Sequence, residues 1–387
     1  SSGGDGAGIY CQDAPPTLTR VDFVGNVADT TRGGGLYINC DATLSDCSFV
    51  GNASGQEGGG IFCWGSYLDL NGCSFVENDA SAGGGIYGED ALLDVDGGTF
   101  HGNVAGMGGG ACAQGGVPSF TDADFGGNTA AIYGGGLALL DAFASVEQCS
   151  FTSNEAWDGC AVYCSGPADP TISECTLSAN VVEPGGAALL CESCDPAITN
   201  TIVAFTVEGS GMRCDLGASP AVSHSCFYGN DGGDGLCGSP GDNLFDDPLF
   251  CDGPAVDASL HDDSPCLPAG NAWAEQIGSE GAGGCGLSTA VVGVSGRLAL
   301  LPPSPNPASG SAVVEWAGPA MLDVRVTLFD PAGRRVRAID ARTGPDGTGR
   351  LVWDGRNSDG RDVASGAYLV RVESTGEVAL GRIVIVR

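Results

Sequence analysis

The chain has 387 residues, rich in Gly (66) and Cys (18), and its 42% hydrophobic content supplies a packed core, which excludes a disordered chain. Its 15 basic residues are all Arg; only Arg20, Arg32 and Arg213 precede residue 297, where 38 acids give a charge of −35 and leave +2 beyond. That charge repels nucleic acid and anionic membranes, and no run of about 18 to 20 apolar residues is present to form a transmembrane helix.

In chain order, a Gly-rich run followed by an apolar residue recurs from the first residues. It reads Gly6-Ala7-Gly8-Ile9, Gly33-Gly34-Gly35-Leu36, Gly58-Gly59-Gly60-Ile61, Gly83-Gly84-Gly85-Ile86, Gly108-Gly109-Gly110-Ala111 and Gly134-Gly135-Gly136-Leu137. Degenerate copies end at Val162, Leu189 and Met212. The period is close to 25 residues, and a period of this size marks a solenoid or a related repeat architecture. The sequence opens on Ser1-Ser2-Gly3-Gly4, already inside the repeat, which predicts a processed or truncated product of a longer exported precursor.

Half a period later comes Phe-x-x-Asn. Asn26, Asn52, Asn78, Asn103, Asn128, Asn154, Asn180 and Asn230 share a column, with Thr206 standing in once. Three residues earlier lie Phe23, Phe49, Phe75, Phe100, Phe125, Phe151, Leu177, Val203 and Phe227. Eight residues before the Asn column lie Leu18, Leu44, Leu70, Val95, Phe120, Val146, Ile172, Ile198 and Val222. Around Leu68 and Leu70 the sequence alternates apolar with polar, the period of a strand with one buried face. A polar pair such as Asn71-Gly72, Asp96-Gly97 or Glu147-Gln148 then turns the chain, so both apolar columns point inward.

Three strands and three turns per period describe one coil of an all-β fold, a right-handed parallel β-helix of about nine rungs. At about 4.8 Å per rung it forms a rod of roughly 40 Å. The Asn column predicts a ladder of stacked amides rather than a binding stripe. The two signatures resemble the polymorphic outer-membrane protein repeat, whose marks are a GGA-plus-aliphatic tetrad and FxxN. That resemblance covers residues 3 to about 235 and implies surface-displayed adhesins.

All Cys lie between Cys11 and Cys285, and an even count at this density points to an oxidising, extracellular compartment. Zinc is a poor alternative, because Cys191 and Cys194 make the single CxxC and His101, His224 and His261 are scattered. One inward column holds Cys11, Cys63, Cys164, Cys191 and Cys214; another holds Cys47, Cys73, Cys149 and Cys175. Pairing across a rung (Cys63 with Cys73, Cys164 with Cys175) and along the rod (Cys47 with Cys73, Cys149 with Cys175) both remain open, as do reduced thiol ladders. Oxidation of most Cys is the expectation.

The repeats occupy residues 1–235. Residues 236–296 read as a segment covering the open edge of the last rung, stapled through Cys237, Cys251, Cys266 and Cys285. The Pro-rich stretch Leu301-Pro302-Pro303-Ser304-Pro305-Asn306-Pro307 marks a linker, and 297–387 reads as a small Ig-like antiparallel sandwich. Within it, Trp353-Asp354-Gly355-Arg356-Asn357-Ser358-Asp359-Gly360-Arg361 and Ser365-Gly366-Ala367-Tyr368, with Pro305-Asn306-Pro307 ahead and Gly381 to Arg387 at the end, are similar to FlgD-like immunoglobulin modules. The same pattern looks like the type A C-terminal sorting domain of the type IX secretion route. This implies export and surface attachment in a Gram-negative-type bacterium.

No residue is assigned a catalytic or cofactor-binding role, and no cofactor is expected. A polysaccharide lyase needs a base, often Arg or Lys, beside carboxylate-held calcium; three Arg and many chance carboxylate pairs do not point to one. Asp69, Asp94 and Asp96 project outward on neighbouring rungs, as a solvated acidic face or a calcium site. Thr17, Thr19, Thr43, Ser45, Ser119, Thr121, Thr171 and Ser173 share those outward positions and suit glycan or partner contact. The expected function is a secreted or cell-surface, non-catalytic structural or adhesive protein. Head-to-tail self-association would propagate as a filament, from an uncapped first rung around Ile9 and Leu18 to the Arg-bearing tail. The alternative is an extracellular glycan-binding or polysaccharide-degrading β-helix.

Overall fold

A computed structural model describes residues 5–251 and 258–283, and in the tail 299–300, 312–317, 319, 321–330, 334–343, 348–358, 361–374 and 377–385. The chain divides into two units, Ser1–Gly286 and Leu287–Arg387. Cys285 and the Pro-rich stretch from Leu301 to Pro307 lie outside the described residues.

The first unit is a parallel β-helix. Its rungs feed three long sheets: a first of nine strands from Ile9–Cys11 to Ser210–Asp215, a second of ten from Thr17–Thr19 to Ser239–Pro240, and a third of nine from Asp22–Val24 to Cys226–Tyr228. The predicted columns are the register itself. Leu44 pairs with Leu70 and Leu70 with Val95 in the second sheet, and Phe49 pairs with Phe75 and Phe75 with Phe100 in the third. Consecutive rings from Phe23 to Phe151 stack with centroids 4.5–4.9 Å apart, nearly parallel, which is the strand spacing itself. From Phe49 to Phe151 these rings are fully buried.

Beside this stack runs the amide ladder. Each Asn Nδ2 donates to the next Oδ1, from Asn26 to Asn180, at 2.8–3.0 Å. From Asn52 onward each also donates to the carbonyl of the Phe in the preceding rung. The ladder therefore satisfies buried polar groups that a turn inside an apolar core would otherwise strand. Thr206 breaks it, and its buried Oγ1 finds no partner.

One element was absent from the three-strand expectation. After the Asn, several rungs add a short fourth strand, Val104–Met107, Thr129–Tyr133, Glu155–Asp158 and Val181–Val182, which together form a four-stranded sheet. The segment between the Asn and the Gly run is long enough to pair with its own copies above and below, so it does.

Four positions recur in the left-handed backbone conformation: one follows the first strand, at Gly65, Asp90, Gly115 and Asp141, and three others bear on stability. One is the first Gly of the run, where Gly33, Gly58, Gly83 and Gly108 have φ of 60–69°. A second follows the second strand, at Arg20, Asp46, Gly72, Gly97, Asp122, Gln148, Glu174, Asn200 and His224. The third precedes the ladder and is Gly in most rungs, but Ala179 occupies it with φ 52°. A left-handed non-Gly residue costs about 1–2 kcal/mol, whereas Gly loses about 0.5–1 kcal/mol more entropy on folding than Ala. Ala179→Gly should therefore stabilise the rod by about 0.5 kcal/mol, read as a raised urea midpoint; a lowered midpoint would show that the Ala methyl packs favourably there.

The segment after residue 235 covers more than the last edge. Ser239 and Pro240 pair with Ala221 and Val222, as expected of a closing strand. The chain then packs on the outer face of the third sheet, where Leu260, Cys266 and Ile277 join Ile202, Ala204 and Cys226 in a separate buried cluster. The Gly278 N–H donates to the Asn200 carbonyl, and the Ser279 N–H to Thr176 Oγ1. The outward positions Ile202 and Ala204 are apolar because this flap lies over them.

Cys214 and Cys237 form a disulfide, and Cys251 is also disulfide-bonded. Among the described residues fourteen other cysteines stand as thiols, against the expectation that most are oxidised. Pairing across a rung is not realised: the Cys63 thiol turns toward the Ser66 carbonyl, and the Cys73 thiol contacts that of Cys47. Successive rungs are closer to each other than opposite walls of a rung are, which favours contacts along the rod.

The second unit is an Ig-like antiparallel sandwich. Ala299–Leu300, Ala312–Ala317 and Thr348–Trp353 form one sheet; Arg335–Arg342, Asp323–Phe329, Gly366–Ser374 and Glu377–Ile385 form the other. Alternate residues meet between the sheets: Val314, Trp316 and Trp353 from one, and Val326, Leu328, Val370, Val372, Ile383 and Ile385 from the other.

Candidate functional site

Two faces of the rod carry chemistry. The first is the outer face of the second sheet, where strand alternation sends every other side chain to solvent. Register sets Asp69 beside Asp94, and Asp96 beside Asn71 in the next outward column. Asn71 Nδ2 donates to Asp69 Oδ1 at 2.6 Å, and the Tyr67 hydroxyl to Asp94 Oδ2 at 3.2 Å. The three aspartates thus divide between two columns, and Asp69 and Asp94 each hold a local donor. Among the described residues, no three His, Cys, Asp or Glu side chains gather in a way that would hold a metal ion. Thr17 aligns with Thr43, and Ser119 with Ser145 and Thr171, so hydroxyls and carboxylates repeat from rung to rung.

The second face was not read from the sequence. It lies along the outside of the first sheet, where Tyr37, Phe62, Tyr87, Cys112, Ala138, Tyr163 and Leu190 form a buried strip outside the main core. Ala82, Met107 and Tyr133, from the segment just before each Gly run, pack against it. Glu57, Ala82, Met107, Tyr133 and Asp158 occupy equivalent positions in successive rungs, joined by parallel bridges.

An arginine closes each end of this strip. Arg32 reaches Glu57 at 2.8 Å and Glu89 at 3.3 Å, with its guanidinium 4.7 Å from the centre of the Phe62 ring. Arg213 bridges Asp158 at 2.6 Å and Asp215 at 2.7 Å, and donates to the Gly185 carbonyl. Two of the three arginines in the −35 region are thus committed to ion pairs between rungs. Their scarcity was the available signal. Their partners carried none, because the column before the Gly run shares no residue type.

Asp158 is 3% exposed. Burial raises its pKa above the ordinary aspartate value, while the Ala187 and Gly159 N–H groups and the Arg213 guanidinium pull it down. The Tyr163 hydroxyl donates to Glu192 Oε2 at 2.6 Å, and burial raises its pKa, helped by that carboxylate. Tyr133 stacks on Tyr163 with centroids 4.5 Å apart and leans toward Trp157 at 5.8 Å. Trp157 is 56% exposed. Trp157 also lines an open groove of about 500 Å³ with Glu155, Glu183 and Glu208, so an exposed indole and three carboxylates share one mouth, a combination suited to binding polar, ring-shaped ligands by stacking and hydrogen bonding.

Arg213→Met leaves Asp158 buried without its cation. Removing one partner of a fully buried pair costs about 3–5 kcal/mol, and the partial exposure of Arg213 lowers the expected loss to about 2 kcal/mol at neutral pH. The desolvation penalty on Asp158 is present above its raised folded pKa and vanishes as pH falls through it. The variant should therefore recover toward the parent in mildly acidic buffer, read as converging urea midpoints. A gap constant with pH would assign the loss to packing.

No curated protein matches the sequence. Among solved structures, a crystal structure of dimeric latent PorU from Porphyromonas gingivalis matches 23% of this chain and 9% of its own, at 24% identity and a TM-score of 0.21. This chain thus spans about a tenth of that protein. Within the second unit, residues 306–377 match the FlgD Ig-like domain family, in agreement with the antiparallel sandwich built there.

Proposed function

We propose that this protein is a secreted, surface-attached, non-catalytic rod that works by adhesion or assembly. The observation that carries the reading is the second sheet, whose outward Thr, Ser and Asp columns present a repeated polar face to a partner. The tail supports attachment. Its similarity to FlgD-like modules and to type A sorting domains fits export in a Gram-negative-type bacterium, and the GGGI and FxxN signatures fit the surface-displayed polymorphic outer-membrane type. Protease treatment of intact producing cells should remove the protein, whereas cleavage only after lysis would overturn the reading.

Assembly is the finer part of this proposal. A rod of −35 and an Arg-bearing tail of another copy attract each other, and contact of that kind weakens in high salt. Light scattering should show association that salt reverses; a monomer at all salt concentrations would remove assembly and leave a monomeric adhesin. The purified protein should leave acidic polysaccharides intact with or without calcium. Turnover abolished by Asp69→Ala, Asp94→Ala or Asp96→Ala would replace this reading with an enzymatic one.

Extracellular glycan binding is the second reading, favoured by the mouth around Trp157. Indole fluorescence should then respond to an oligosaccharide panel in the parent and lose that response in Trp157→Ala. An identical response in the variant would remove the mouth as the site.

A further inference from the structure

The register that stacks the rungs also stacks sulfur on sulfur. Cys47 and Cys73 immediately precede paired strands of the third sheet, where Ser48 is in register with Ser74 and the Ser74 N–H donates to the Cys47 carbonyl at 2.9 Å. Cys149 and Cys175 repeat that arrangement: Ser150 is in register with Thr176, and the Thr176 N–H donates to the Cys149 carbonyl at 3.0 Å. Neighbouring strands lie about 4.8 Å apart, within the Cα range of about 4.4–6.8 Å that a disulfide spans. In both pairs the two thiols are neighbours, close enough for Cys47 to act on the Cys73 thiol and Cys149 on the Cys175 thiol, while the thiols themselves donate to backbone carbonyls, Cys73 to that of Leu44 and Cys175 to that of Val146.

A third contact joins different parts of the unit. Cys226 lies in the last strand of the third sheet and Cys266 in the flap over that sheet's outer face, and their thiols meet inside the flap's buried cluster. All six side chains are 0–1% exposed. By contrast, Cys112 and Cys160 are fully buried, and burial, not a neighbouring thiol, raises their pKa values. At Cys194 two sulfurs compete, those of Cys164 and Cys191, so at most one bond forms there.

We propose that Cys47–Cys73, Cys149–Cys175 and Cys226–Cys266 are disulfide sites, the first two riveting consecutive rungs and the third fastening the flap to the rod. Each bond forms by thiol–disulfide exchange with a small-molecule or protein disulfide oxidant. One thiolate attacks the oxidant to give a mixed disulfide, and the second thiolate displaces the oxidant's remaining sulfur. The protein loses two protons and two electrons per bond, and the oxidant leaves as two thiols. Because all six sulfurs are buried, exchange takes place before the rungs close over them. The inference draws on the extracellular reading for the source of oxidant, but its chemistry depends only on the fold.

The test is therefore made outside any cell. The full chain, reduced and unfolded, is refolded with a mixture of oxidised and reduced glutathione, then unfolded again, alkylated and digested without reductant. Mass spectrometry should find the three linked peptide pairs, and Cys112 and Cys160 alkylated. Reduction should also lower the thermal midpoint of the parent further than that of the Cys226→Ala/Cys266→Ala double variant. Alkylation of all six cysteines in protein that has regained its β-sheet spectrum would overturn the proposal, as would links joining Cys63 to Cys73. Because the refolding is done in vitro, those outcomes speak to the pairing alone. Failure of the surface reading would appear in the protease treatment of cells.

Discussion

Replacing Asn128 with Leu should destabilise the first unit by about 3–5 kcal/mol, among the largest effects of any single side chain. Asn128 Nδ2 donates to the Phe100 carbonyl at 2.8 Å and to Asn154 Oδ1 at 2.9 Å. Its own Oδ1 accepts from the Asn103 backbone N–H and the Asn103 Nδ2. Leu fills a similar volume but removes a bond from each of two donors and two acceptors inside a dry core, each worth about 1–3 kcal/mol, with some relief because Asn154 Oδ1 keeps the Asn128 backbone N–H and Asn103 Nδ2 keeps the Phe75 carbonyl. Asn128→Asp separates geometry from chemistry. A carboxylate still accepts from Asn103 but faces the Asn154 and Phe100 oxygens without a proton to give, so it too should be strongly destabilised near neutral pH. Urea denaturation followed by circular dichroism measures both. A loss below about 1 kcal/mol for Leu would mean that water enters the ladder and replaces the amide.

Gly109→Ala should have an effect of similar size by a different route. A Cβ at Gly109 would lie 2.4 Å from the Gly135 carbonyl oxygen and 2.7 Å from that of Thr129. Both are backbone atoms of the next rung and cannot swing aside. Relief requires the rungs to part at this corner, which strains the first sheet and the short fourth strand together. Overpacking in a well-filled interior costs about 1–3 kcal/mol, and a clash with fixed backbone belongs at or above the top of that range. Loss of the cooperative transition, or of soluble protein, is the expected reading. A variant with an unchanged midpoint would show that this corner is looser than the clash distances imply.

The contrast between what the sequence revealed and what it concealed has a physical origin. Inward columns were legible because one interior imposes the same demand on every rung: Phe at Phe49, Phe75, Phe100 and Phe125, Leu or its equivalents eight residues before each Asn, and Asn where the turn must be satisfied internally. The outer strip on the first sheet was concealed by its context. Tyr37, Phe62 and Tyr87 sit on an outward face that alternation assigns to solvent, yet they are buried by residues as unlike as Glu57, Ala82, Met107 and Tyr133. A lid made of unlike side chains leaves no column to read. The mouth at Trp157 inherits the same obscurity, because its carboxylates Glu155, Glu183 and Glu208 come from three rungs and match no spacing rule. The flap was legible as a closing segment, but its seat was not. Apolar outward residues at Ile202 and Ala204 were the trace it left.

The glutamine, glutamate, aspartate and arginine held in left-handed turns, such as Gln148, Glu174, Asp122 and Arg20, recur at a position that in other rungs is Gly. Rungs therefore keep the same backbone path through this turn whatever side chains they carry, and one repeat ends where the next begins in three-dimensional space as well as in sequence. A gene for such a protein can gain or lose a whole period by unequal recombination and still encode a closed coil. Loss of residues 84–108, for example, would join Gly83 to Gly109 and pass from one Gly run into the next without a change of phase. Length in this architecture is thus a heritable quantity that changes in whole steps, and selection can tune the reach of the molecule without inventing new structure.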